Sequence, residues 1–136
     1  MRLLAVRLTP GQDLRAALDA VLIEHRMRAA FVLQGIGSLS VAQLRLAGAG
    51  GATELRGDLE LLTLAGSLSP DGAHLHMSVA DAHGAVLGGH VAAGCIVRTT
   101  AEVLVALLPE HRFCRAPDAT TGFPELVTGL AARSKA

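Results

Sequence analysis

The chain has 136 residues, enough for one domain and one core, and 51% of them are hydrophobic while 18% are charged, against about 25% charged in an ordinary globular domain. That balance excludes a disordered tail, a coiled coil and a collagen-like rod. Twelve Lys and Arg offset twelve Asp and Glu, which leaves no basic excess for a strongly electrostatic DNA binder.

Residues 2–8 read as a first strand, ended by Thr9-Pro10-Gly11. Asp13 is placed to cap a helix running to about residue 27. Leu14, Ala17, Leu18, Val21 and Leu22 form its apolar stripe, with Arg15, Asp19, Glu24 and Arg26 off it. Residues 29–35 and 39–46 read as two strands around Gly35-Ile36-Gly37-Ser38, where Ser40 replaces the third glycine of a dinucleotide fingerprint. Residues 53–65 predict one long or two short strands, with Gly57 at a bulge or turn. Residues 73–80 and 85–92 predict a hairpin. Residues 99–108 carry two conflicting signals: Thr99-x-x-Glu102 has the form of a capping box, whereas Val103 and Val105 favour a buried strand. From Pro109 onward the pattern is irregular.

So apolar a chain cannot cover its own surface with polar groups, which predicts a homo-oligomer. Phe31, Phe113 and Phe123 are the only aromatics, too few for stacking single-stranded bases. Cys95 and Cys114 lack the spacing of a thiolate zinc site or a disulfide framework and read as inert thiols in a reducing compartment. The N-terminal apolar run is too short for a signal peptide, and no stretch suits a membrane span, so the expected location is cytoplasmic and no membrane partner is expected.

The chemistry lies in one hairpin. His74 and His76, at i and i+2, share one face of a strand. Asp81-Ala82-His83-Gly84 has the residues of a type I turn closed by a left-handed glycine bulge. In that register Asp81 opposes Ala85 and His76 opposes His90, with His74 diagonal on the same face. A plain two-residue loop would turn His90 to the other face. Three neutral imidazoles with an open fourth position suit a divalent transition metal, zinc first, with iron, nickel or cobalt also fitting. Occupancy is expected to fall below about pH 6, where imidazole protonates. Gly88 and Gly89 cost strand stability unless something approaches the backbone, and a ligand pocket or neighbouring subunit is the expected reason. His25, His83 and His111 read as ordinary surface, turn and loop residues.

The run Gly72-Ala73-His74-Leu75-His76-Met77-Ser78-Val79-Ala80-Asp81, followed by Gly84-Ala85-Val86-Leu87-Gly88-Gly89-His90, resembles the plants-and-prokaryotes-conserved (PPC) domain family. Gly35-Ile36-Gly37-Ser38-Leu39, the stretch from Leu59 to Gly66, and Thr121-Gly122-Phe123-Pro124-Glu125-Leu126 are similar to further parts of it. The likeness covers about residues 1–127, read as one domain, with 128–136 as a C-terminal tail. It implies an α/β (α+β) sandwich-like fold on a mainly antiparallel mixed sheet with one amphipathic helix, assembled as a homotrimer, and it tips residues 99–108 toward strand. Plant members carry a separate AT-hook; this chain has no Arg-Gly-Arg-Pro element and a single lysine, Lys135, so DNA binding is expected to be weak or absent. The fold is also similar to acetolactate decarboxylase, whose zinc is held by an HxH pair and a third histidine; that is analogy at the level of fold.

Arg115 is a candidate clamp for an anionic ligand, alongside Gly88 and Gly89, while Glu125 and Glu60 are candidate acid/base groups. The expected function is a homotrimeric binding or regulatory module with a three-histidine metal pocket, taking a small-molecule ligand or a protein partner. A metal-dependent lyase or hydrolase on a small polar substrate is one alternative, and a transcription-associated DNA-binding protein is another.

Overall fold

Six strands form one sheet in the order β1-β6-β2-β3-β4-β5. They are β1 (Arg2–Leu8), β2 (Ala30–Arg45), β3 (Thr53–Ser69), β4 (Gly72–Ala80), β5 (Val86–Val91) and β6 (Ile96–Leu107). The computed structural model describes residues 1–131. All the strand pairings in it are antiparallel, so the sheet is antiparallel rather than mixed. The end of β2 also pairs with β5, Leu44 opposite Val91 and Arg45 opposite His90. Since β2–β3, β3–β4 and β4–β5 are paired as well, these four strands close into a barrel-like ring.

The two strands read at 29–35 and 39–46 are one strand. β2 runs through the Gly35-Ile36-Gly37 segment with register irregularities, including one between Gly37 and Leu39 against β6. Such breaks bend a long strand without ending it. Residues 53–65 likewise belong to the single β3, which extends to Ser69 and bends near Gly57, at φ 120°.

The helix α1 (Leu14–Glu24) packs on this sheet against β3, β4 and β6. Leu14, Leu18, Val21 and Leu22 are buried, as the stripe predicts, and meet a core that includes Leu39, Leu64, Leu68 and Leu75. Fully burying a leucine contributes about 1.5–3 kcal/mol. Asp13 caps the helix: Oδ1 accepts from the Ala16 N–H at 2.9 Å, and Oδ2 accepts from the Gly94 N–H at 2.6 Å. One carboxylate thereby satisfies an orphan helix donor and pins the loop before β6. The other end closes in a Schellman pattern, with Met27 N–H donating to Leu22 O and Arg26 N–H to Ile23 O. Arg26 occupies the left-handed position at φ 54°, where a side chain costs on the order of 1 kcal/mol. Arg26→Gly is therefore expected to leave the fold unchanged and raise stability by about 0.5–1 kcal/mol, read from urea midpoints; a lower midpoint would mean that the arginine side chain makes compensating contacts.

Of residues 99–108, all but Leu108 are strand, within β6. Ala101, Val103, Val105 and Leu107 are buried in alternation, and β6 has ladder partners on both sides, β1 and β2. The Thr99 hydroxyl, which a capping box would direct to a helix N–H, instead bonds Ser38 Oγ at 2.6 Å. The reading of an irregular chain after Pro109 is corrected. β7 (His111–Pro117) and β8 (Pro124–Leu130) form a second, two-stranded sheet. Pro117 faces Pro124 at the loop end, where a missing N–H costs the ladder little. Residues 128–130, read from sequence as tail, belong to β8; Ala131 follows them with its N–H on Glu110 O, and 132–136 lie outside the described residues. Among the described residues no helix is long and apolar enough to cross a membrane.

Candidate metal centre

The β4–β5 turn has the expected bulged form. Asp81 N–H donates to Ala85 O and Gly84 N–H donates to Asp81 O, each at 3.0 Å, while Gly84 sits at φ 81°. The Asp81 carboxylate accepts from the His83 and Ala85 N–H groups at 2.8 and 2.9 Å. These bonds favour its charged form and hold its pKa below the usual range. This turn sets the register that places His76 directly opposite His90.

His74, His76 and His90 meet on one face. Their ring centroids are 5.0–5.6 Å apart, and one nitrogen from each lies within 4.8 Å of the others. His74 Nε2 and His76 Nε2 are 3.2 Å apart. Two nitrogens bound to a tetrahedral zinc at 2.0–2.1 Å stand about 3.3–3.4 Å apart, so this pair already has the spacing of ligands. The donor set, three imidazoles and no thiolate, fits a divalent metal with an open position.

The surroundings favour the neutral rings that metals require. Burial, then the charges of Arg115 and His76, lowers the pKa of His74, and Glu125 opposes them. Burial, with His74, Arg45, Arg15 and His76, lowers that of His90 to about 4. The unfolded chain takes up a proton at His90 near pH 6.5, before the folded protein does. Without metal, stability is therefore fully present above about pH 6.5 and falls as pH drops toward about 4, below which this group contributes no further change. Thermal melts across that range should show the decline, with a smaller slope for His90→Ala; identical slopes would show that His90 is not the group responsible.

The other candidate residues separate. Glu125 and Arg115 line a cavity of about 370 Å³ that also includes His74 and His90. Arg115 comes from β7 and donates to Ser67 Oγ at 2.8 Å; Ser67 stands opposite His74. Glu60 does not join them. It lies opposite Ala80, at the turn end of β4, away from His74 and His76. Gly88 and Gly89 line a neighbouring cavity with the three histidines, and backbone packing also bears on both positions. A Cβ on Gly89 would stand 2.8 Å from the Arg45 carbonyl oxygen, and one on Gly88 3.1 Å from that of Met77. The chain's own β2 and β4 backbone thus comes close at both positions. His83 sits in the turn, and His25 and His111 lie on other elements. Cys95 is buried and accepts from the Gln43 N–H at 3.2 Å; burial raises its pKa, which keeps it a thiol.

Sequence reasoning missed Arg15 and Arg45 at this site. Arg15 reads as the polar side of a helix, yet it donates to Val91 O at 3.0 Å, beside His90. Arg45 stands opposite His90 through the β2–β5 closure. Both line the cavity, and no local signal could have placed them there.

Among the described residues, one helix on a curled antiparallel sheet, with three histidines clustered on a surface hairpin, defines a small α+β domain equipped to hold a metal. The chain belongs to the family of the Plants and Prokaryotes Conserved (PCC) domain, which matches residues 1–109. It is 49% identical over 126 residues to the Bifunctional protein GlmU of Synechococcus sp. (strain JA-2-3B'a(2-13)), a match covering 93% of this chain and 20% of that protein. The chain thus spans about a fifth of the length of the curated relatives it matches. Among solved structures, a hypothetical protein from Salmonella cholerae-suis superposes with a TM-score of 0.93 at 40% identity, over 96% of this chain and 95% of that one. A metal-containing protein from Archaeoglobus fulgidus superposes with a TM-score of 0.78 at 26% identity, over 93% of this chain and 94% of the other.

Proposed function

We propose that this chain is a homotrimeric binding or regulatory module that carries one divalent metal per subunit, zinc first, on His74, His76 and His90. The observation that carries the reading is the convergence of three imidazole nitrogens within 4.8 Å at an arginine-lined cavity. The likeness to a metal-containing protein supports it. When bound, the metal supplies a Lewis-acidic position for a ligand oxygen; His74, His76 and His90 hold it, and the neighbouring side chains select what reaches it.

The apolar surface supports assembly. Leu3, Ala106, Phe31, Ser67 and His74 lie in one cross-strand row from β1 to β4. Leu3 and Phe31 on that row, and Leu33, Ile36 and Leu104 further along the same strands, are exposed. Exposed apolar side chains grouped on the neighbouring strands β1, β6 and β2 are the kind of surface that subunit contacts cover. A second reading, a metal-dependent lyase or hydrolase on a small polar substrate, is favoured by Glu125, a carboxylate lining the same cavity as His74 and His90. DNA binding is weak or absent in this reading, because the net charge is zero.

The deciding experiment combines metal analysis with sedimentation of the protein made without a histidine tag. One metal per chain in a particle of three chains is expected at micromolar concentration. A stable monomer would refute the trimer, and a metal-free protein that also fails to take up zinc on titration would refute the metal centre.

A further inference from the structure

We propose that the cavity beside the three histidines binds a small organic carboxylate, its charge taken by Arg15, Arg45 and Arg115 and a further oxygen reaching the metal position. This inference rests on the metal reading above and names the class of ligand for that site. Each arginine is tied to a neighbour of a histidine. Arg115 donates to Ser67 Oγ, and Ser67 stands opposite His74. Arg15 donates to the Val91 carbonyl, the residue after His90. Arg45 stands opposite His90 itself. Three elements that are distant in sequence, α1, the end of β2 and β7, therefore deliver guanidinium groups to one cavity of about 370 Å³, a size suited to a small molecule.

None of the three is neutralised. The ion pairs within 4.0 Å among the described residues are Arg56–Glu54 and Arg98–Asp58, both elsewhere. Like charges gathered in one cavity repel, and an anion relieves that repulsion. Guanidinium forks match the two oxygens of a carboxylate or the oxygens of a phosphate. The choice between them follows from the rest of the wall. Asp71 and Glu125 also line the cavity, and Asp71 is held there by the Arg115 N–H at 2.8 Å. With both carboxylates ionised the lining carries one net positive charge before a metal enters. A bound divalent metal adds two more, so the choice rests on the wall: Asp71 and Glu125 accept only, and they repel the three charged oxygens of a phosphate more than the two of a carboxylate.

The test uses the protein loaded with cobalt(II), whose visible spectrum reports a change in coordination, titrated with glycolate and separately with inorganic phosphate. A saturable spectral change with glycolate is expected, weaker with phosphate. Arg115→Gln should raise the apparent Kd for glycolate about ten- to a hundredfold, the loss of one charge-assisted contact, with cobalt stoichiometry unchanged. Because Arg115→Gln also removes the bond to Ser67, Arg45→Gln is run beside it; Arg45 is exposed, and its loss should weaken glycolate binding without lowering the melting temperature. Cobalt uptake without any response to glycolate, equal affinity in wild type and both variants, or tighter binding of phosphate would overturn the carboxylate assignment while leaving the metal centre standing. Failure to take up cobalt would overturn the metal reading instead. In that case, glycolate-induced shifts of the arginine side-chain nitrogen resonances in the metal-free protein would retain the anion site, and their absence would overturn it as well.

Discussion

His90→Ala is expected to abolish metal uptake, lowering affinity by more than about a hundredfold, whereas His83→Ala should leave it unchanged. The magnitude follows from ligand count. Changing an outer-shell partner of a metal ligand typically costs 10–100-fold in affinity, and removing one of three protein ligands costs more. His83 is seven residues from both His76 and His90 in the same hairpin, but it occupies the Asp81–Gly84 turn, where its N–H is bound to the Asp81 carboxylate. The pair of variants thus separates a site built by sheet register from a local enrichment in histidine. Isothermal titration of each metal-free variant with zinc reads the difference. Equal affinity in the two variants would break the link between the Asp81–Ala85 register and the site.

The second large effect concerns a residue with no chemistry of its own. Gly66, in β3, has φ 153°, and a Cβ there would lie 2.0 Å from the His74 carbonyl oxygen and 2.8 Å from Leu75 Cα. These are backbone atoms of β4, so no side chain can swing aside. Gly66→Ala must push β3 away from β4, the strand that carries both His74 and His76. A destabilisation of more than about 3 kcal/mol is expected from the clash and the disfavoured φ together, a fall in Tm of roughly 10 °C for a chain of this size. Metal affinity should drop with it, because the displaced segment is the one between the two ligands. Gly50→Ala is the control. Nothing lies within 4 Å of its Cβ position and its φ is not positive, so stability should stay within about 0.5 kcal/mol of wild type. A Gly66→Ala protein melting with wild type would show that β3 and β4 can separate locally at no cost.

Several features were legible because short segments encode them. The spacing of Leu14, Leu18, Val21 and Leu22, with Asp13 ahead of it, determines a helix and its buried side without reference to the rest of the chain. Asp81 and Gly84 determine a turn, the turn determines a register, and the register puts His74, His76 and His90 on one face. Every step in that chain of causes spans fewer than twenty residues.

What only the tertiary structure decided involves partners far apart in sequence. Residues 99–108 carry both a helix-start pattern and a strand composition, and the presence of β1 and β2 on either side resolved them, up to Leu107, as strand. The β7–β8 hairpin was hidden because Pro117 and Pro124 look like breakers until they are seen to face each other at a loop. Glu60 left the site because pairing with Ala80 puts it at the wrong end of β4. Arg15, Arg45 and Arg115 converge through a helix contact, a ring closure and a second sheet, none of which leaves a local pattern. The physical reason is the same throughout. Turn chemistry and helical periodicity act between neighbours on the chain, so the residues state them directly. Strand pairing and the gathering of charges depend on which distant segments meet, and that choice belongs to the free energy of the whole fold.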